Sequence, residues 1–201
     1  MALDPIKQRH PSILLSASIP TAERAKKYYE TADVIAIRDC IKALVAAAVP
    51  RHALVWGGHP SITPMIRLLA ESSADDIRNY FVLYQSQLFK SVAPRDNDYF
   101  RNLIWVESAS DLRSSLRLLR TRMLSEPHYV AGVFIGGMEG IETEFREFRK
   151  ANPRAAVFPI ASTGGAANLL FEEWAKPLAL SQDLRAEVAY PYLFRRLLAK
   201  L

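Results

Sequence analysis

The sequence of 201 residues holds one cysteine, Cys40, and only eight glycines. A lone cysteine excludes an internal disulfide framework and any zinc site built from thiolates. The four histidines, His10, His52, His59 and His128, match no metal-ligand spacing, so no metal is expected. Long apolar runs are missing too. The longest candidate, Val34 to Val49, is interrupted by Arg38, Asp39 and Lys42, and it falls short of the roughly 18 residues that span a bilayer. The N-terminal residues lack a signal peptide's basic start, long apolar run and small-residue cleavage site. A cytoplasmic location with no membrane contact is the expectation. No Gly-Lys-Ser/Thr loop, regular G-x-G-x-x-G or G-x-S-x-G elbow occurs. An ordinary P-loop NTPase, a nicotinamide dehydrogenase and a serine hydrolase are thereby disfavoured.

The composition is that of a folded soluble domain, 50% apolar and 23% charged. A net charge of +5 is too small to indicate a polyanion partner. Periodicity gives a repeating strand–helix order. Six short apolar runs read as strands: 13–18, 53–56, 80–84, 103–106, 129–135 and 156–161. Between them lie amphipathic helices, one capped by Asp33 and ended by Pro50, others starting near Pro60, Ser110, Glu139 and Gly165. On the Ser110 helix, Leu112, Leu116, Leu119 and Met123 form the expected core face, with Arg113, Arg117 and Arg120 as a solvated outer stripe. That stripe has no interleaved aromatics, so nucleic-acid binding is not expected.

A last helical segment covers about 183–201, bent or broken near Pro191. Strands apolar on both faces imply a mostly parallel sheet covered on both sides. The reading is one α/β domain over residues 1–201, a single Rossmann-like doubly wound sheet with its core at about 13–175. The irregular connection from Ile19 to Thr31 is expected to act as a flap, and its Tyr28 and Tyr29 are candidates for stacking on a base.

Seven of the eight glycines fall in three strand-to-helix junctions: Gly57-Gly58-His59, Gly136-Gly137-Met138-Glu139-Gly140 and Thr163-Gly164-Gly165. In a doubly wound sheet these junctions share the rim where ligands bind. Glycine there either makes a tight turn or lets N–H groups approach a phosphate. Three pairs on one rim favour a nucleotide-shaped site. Ser16, Ser18 and Thr163 supply hydroxyls that bind phosphate or cap turns, and His59 donates to phosphate, acts as an acid/base or is structural. Glu139 and Glu144, at a helix start, complement the helix dipole or accept from ribose hydroxyls. Gln85 ends a strand where it reads a base edge or a sugar.

Five segments together, LLSASIP at 14–20, LVWGGHPSITPMI at 54–66, LYQSQLF at 83–89, FIGGMEGIETEF at 134–145 and PIASTGGAA at 159–167, resemble the SLOG superfamily. That Rossmannoid group includes the LOG phosphoribohydrolases that activate cytokinins and DprA-type proteins. The resemblance is nearest to SLOG domains of bacterial conflict systems, such as the one in the Thoeris defence effector that senses a cyclic ADP-ribose signal.

It implies a nucleotide-derived, ADP-ribose-like ligand with no further cofactor. The ligand would lie on the three glycine pairs, with Met138, Glu139 and Gly140 beside it. An effector partner is then a separate polypeptide or a homo-oligomer of the chain itself. The LOG hydrolases carry PGGxGT followed by glutamate. Here Gly136-Gly137-Met138-Glu139-Gly140-Ile141 adds a residue and replaces the threonine, and no upstream arginine is assignable. Sensing is therefore expected ahead of catalysis. The alternatives are an N-glycosidase using Glu139 or Glu144 and an oligomerising interaction module. On this reading Gly137→Asp abolishes binding and spares the fold.

Overall fold

Residues 10–23, 26–72, 75–175 and 181–201 are described by a computed structural model. Its centre is a sheet of six parallel strands in the order β4-β3-β2-β1-β5-β6. The strands are β1 (Ser12–Ser18), β2 (Ala53–Trp56), β3 (Phe81–Ser86), β4 (Asn102–Val106), β5 (Tyr129–Gly136) and β6 (Ala156–Ile160). Because side chains alternate along a strand, neighbouring residues feed two separate cores. Ile13, Leu15, Leu54, Trp56, Leu83 and Ile135 enter one, and Leu14, Val55, Val82, Tyr84 and Phe134 the other. The apolar character of both faces is what excludes an open, one-sided sheet.

The first core is covered by α2 (Val34–Ala48), α3 (Thr63–Glu71) and α8 (Tyr190–Leu198), the second by α4 (Leu112–Ser125), α5 (Glu139–Ala151) and α6 (Gly165–Leu170). Short helices α1 (Lys26–Tyr29) and α7 (Ser181–Ala186) complete the set. Asp33 caps α2, its Oδ1 accepting from Ile35 N at 2.9 Å and Ala36 N at 3.0 Å. No helix among the described residues is long and apolar enough to cross a membrane.

Several boundaries differ from the sequence reading. Helix α3 begins at Thr63 because Pro64, and not Pro60, sits in its first turn. The turn before it is closed by Ile62 N and Thr63 N donating to His59 O at 2.9 and 3.0 Å. The C-terminal segment is broken near Pro191, as expected, with α7 ending at Ala186 and Pro191 in the first turn of α8. Residues Leu193, Phe194 and Leu197 of α8 are fully buried and pack on α2, so the main core extends beyond residue 175. Leu112, expected in the core, is 54% exposed.

The connection from Ile19 to Thr31, of which residues 24 and 25 lie outside the description, is tied down. Tyr28 is buried, and its hydroxyl donates to Glu142 Oε1 at 2.7 Å. Thr31 Oγ1 accepts from Gly165 N at 3.0 Å, and Asp33 N donates to Thr163 O at 3.3 Å. The connection thus crosses the start of α6, and Tyr28 is not placed to stack on a ligand.

Chain order places the site. Strands β1 to β4 step outward in one direction, after which α4 carries the chain back across to β5 on the other side of β1. The order reverses between β1 and β5, and the crevice beyond their carboxyl ends is where such sheets bind ligands.

Candidate functional site

A cleft of about 610 Å³ opens at that reversal, within the size range of small-molecule sites. Its floor is the ends of β1, β2 and β3, and its walls are α4, the first turns of α5 and the loop after β3. The first and second glycine junctions line it, through Gly57, Gly58, His59, Met138, Glu139 and Gly140. Gly58 has φ +68° and is held by Gln85, whose Nε2 donates to Gly58 O at 3.2 Å. A Cβ on Gly58 would lie 2.7 Å from that same nitrogen. The positive φ favours glycine there, and the Gln85 amide packs closely on it.

His59 stands at the mouth of this turn. Ser61 N donates to His59 Nδ1 at 3.3 Å, and Ser61 Oγ lies 2.8 Å from the same atom. A backbone N–H can only donate, so Nδ1 is an acceptor and the neutral ring carries its proton on Nε2. Ser61 Oγ in turn accepts from Ile19 N at 3.3 Å, tying the ring to the end of β1.

The charged heart of the cleft is Glu144. Ser16 points from β1 toward α5, and its Oγ donates to Glu144 Oε2 at 2.6 Å. Arg120 Nε lies 3.4 Å from Glu144 Oε1, and Arg120 Nη2 lies 3.6 Å from where a Cβ on Gly140 would be. Burial pushes the Glu144 carboxyl above its ordinary range, while Ser16 and Arg120 work against that rise. Glu139, by contrast, is exposed at the rim in the first turn of α5, where the helix dipole favours it.

Other expected site residues lie elsewhere or are already engaged. Gly136 N donates to Thr163 Oγ1 at 2.8 Å, and Gly137 N to Ser18 O at 2.9 Å. Thr163 Oγ1 also donates to Ile160 O at 2.7 Å. Gly164, with φ +69°, packs so closely on the carbonyl of Thr31 that no side chain fits. Gly164 N and Ala166 N are bound to Ala161 O and Gly137 O, each at 2.9 Å.

The glycines at Gly136-Gly137 and Gly164-Gly165 therefore make turns and close contacts, with their N–H groups consumed inside the protein. This corrects the picture of a diphosphate on three glycine pairs. It also corrects the expectation for Gly137→Asp, since a Cβ on Gly137 meets Ile141 and φ is +79°. That substitution damages the fold itself.

Gln85 lines the cleft, but its Oε1 accepts from Ser86 N at 3.0 Å while its amide holds Gly58. Ser18 contributes to the floor. Arg120 is the residue the sequence reading missed. Arg113 and Arg117 are exposed as expected, yet Arg120 has only 17% of its side chain exposed. On a helix it falls about 40° past Leu116, at the border between the leucine face and the arginine face. Only the position of α5 decides which side it joins. Among the described residues, no group of three or more His, Cys, Asp or Glu could hold a metal.

The family comparison agrees with this architecture. Residues 27–198 match the model of the SLOG cluster3 family. No curated protein matches the sequence.

Proposed function

The chain belongs to the SLOG cluster3 family, a nucleotide-related group of Rossmann-like domains, and on that premise we propose that the cleft binds a nucleotide-derived small molecule. The observation that carries this is the division of one cleft into a hydrogen-bonding half and an apolar half at the β1/β5 reversal. A phosphoryl group would meet the Gly57-Gly58-His59 turn and the first turn of α5, where backbone N–H groups and the helix dipole favour an anion. Glu139 at the rim accepts from ribose hydroxyls, and Arg120 balances the two carboxylates. The further step is a sensor of an ADP-ribose-like messenger in bacterial signalling or defence, acting through its own oligomer or a separate effector. Binding then shifts a conformational or assembly equilibrium through differential contacts.

The test is a thermal-shift panel of AMP, NAD, ADP-ribose, cyclic ADP-ribose isomers, cyclic dinucleotides and ribose 5-phosphate, with chromatography of each incubated sample. A ligand at one hundred times its Kd adds about 2.7 kcal/mol, which raises Tm by a few degrees. A shift with the ligand recovered intact supports binding and sensing. No shift with any member sinks the proposal and leaves an interaction module.

Glu144 supports a second reading. A carboxyl whose pKa is raised by burial is suited to donate a proton. In N-glycosidic cleavage, the carbon–nitrogen bond breaks, the base leaves with the proton donated by Glu144, and the water that adds to the sugar carbon gives up a proton that restores the carboxyl. Free base in the chromatogram, absent with Glu144→Gln, would establish it.

A further inference from the structure

The apolar half of the cleft is formed by Phe89, Val92, Ala93 and Pro94 after β3 and by Leu112 and Leu116 on α4. Leu112, Leu116 and Arg120 follow one another at successive turns of α4, so one helix carries the lining from apolar to charged. Of the polar lining side chains, Ser18 belongs to β1 and Glu139, Thr143 and Glu144 to α5, while His59 follows β2, Gln85 lies near the end of β3 and Arg120 is on α4.

Among the lining residues, the one carboxamide near the apolar half is Gln85. Asparagine and glutamine are the side chains that pair with an adenine edge through both amide atoms. Gln85 is buried, and one internal hydrogen bond at each end, Nε2 to Gly58 O and Ser86 N to Oε1, fixes the orientation of its amide. The loop backbone is partly spent as well. Val92 N donates to Phe89 O at 3.0 Å and Asn97 N to Pro94 O at 3.0 Å, while Pro94 has no N–H.

We infer that the cleft takes the base of its ligand by apolar contact and shape, and does not read the base edge by side-chain hydrogen bonds. This rests on the nucleotide reading above and goes further, to the specificity of the site. Its ligand class is a nucleotide whose purine identity matters little, with Leu112 and Leu116 as determinants of whether a base is required. A site built to hydrogen-bond a substrate group rejects the analogue lacking it by about 10⁴-fold or more. A flat apolar wall gives no such discrimination, yet contact with a ring still adds about tenfold or more in affinity.

Isothermal titration of the full chain with AMP, GMP, IMP and ribose 5-phosphate tests this. The expected result is that the three nucleotides bind within about tenfold of one another, and ribose 5-phosphate at least about tenfold more weakly than any of them. Leu112→Asp, at an exposed position that the fold tolerates, lowers AMP affinity by a larger factor than ribose 5-phosphate affinity. A spread above tenfold among the nucleotides overturns the inference while leaving nucleotide binding intact. Equal losses in the Leu112→Asp variant overturn it too. Binding of none of the four overturns it, and a flat thermal-shift panel beside that result overturns the reading it rests on as well.

Discussion

Glu144 occupies its position through a balance of three neighbours. Burial raises the carboxyl's pKa above its ordinary range, and the Ser16 hydroxyl and Arg120 guanidinium partly offset this. The folded state thus holds the proton more tightly than the unfolded chain. Stability contributed by the neutral carboxyl is present below the unfolded pKa and declines as pH rises through the folded one. Glu144→Gln is neutral at every pH and escapes that decline. Its Tm relative to the natural protein should therefore climb as pH rises above the ordinary carboxylate range, as followed by calorimetry. A flat or falling difference would mean that Arg120 and Ser16 outweigh burial.

The residue types were legible in sequence, since Ser16, Glu144 and the glycine junctions all stand out there. Their division of labour was not. Whether a glycine N–H faces a ligand or an acceptor of its own chain depends on which segment crosses the rim, and here Thr31 does so, its Oγ1 accepting from Gly165 N.

Helix α4 joins fold to site at the next scale. Asp111 caps it, with Oδ1 accepting from Ser114 N at 2.9 Å and Oδ2 from Ser114 Oγ at 2.8 Å. These hydrogen bonds hold the Asp111 carboxyl below its ordinary range. Its contribution is present above the unfolded pKa and lost as pH falls through the folded value. Asp111→Ala should lower Tm at neutral pH, with the gap to the natural protein closing on acidification. It should also weaken nucleotide binding, because Leu112 and Leu116 ride on the first turns of the same helix. Unchanged affinity would show that those turns stay ordered without the cap. The leucine period of α4 is plain in the sequence, but the period alone reads Leu112 as core along with Leu116, which does pack against the second core. A helix that overhangs the end of its sheet has the same pattern as one lying wholly on it.

The whole molecule is held by two cores on opposite faces of one sheet, and the C-terminal helix belongs to the first. Phe194 is fully buried in that core among residues of α2 and the sheet. Phe194→Ala should cost about 3–5 kcal/mol, seen in urea unfolding as a lower midpoint with an unchanged slope. An effect within about 0.5 kcal/mol, the range of ordinary surface substitutions, would mean that α8 is an appendage.

The sequence by itself determined the α/β class, the number of strands and the parallel sheet. Those properties follow from local period and from apolar residues on both faces of each strand, and such information is carried within a dozen residues. It also marked the strand-to-helix turns and the family. Only the tertiary structure decided the strand order and the reversal between β1 and β5. It alone placed Arg120 against Glu144, and it spent the N–H groups of two glycine pairs on the protein itself. Apart from the local bond of Gly164 N to Ala161 O, these are contacts between residues 24 to 134 positions apart. No local pattern encodes such pairings, which form only when the packed cores bring the elements together.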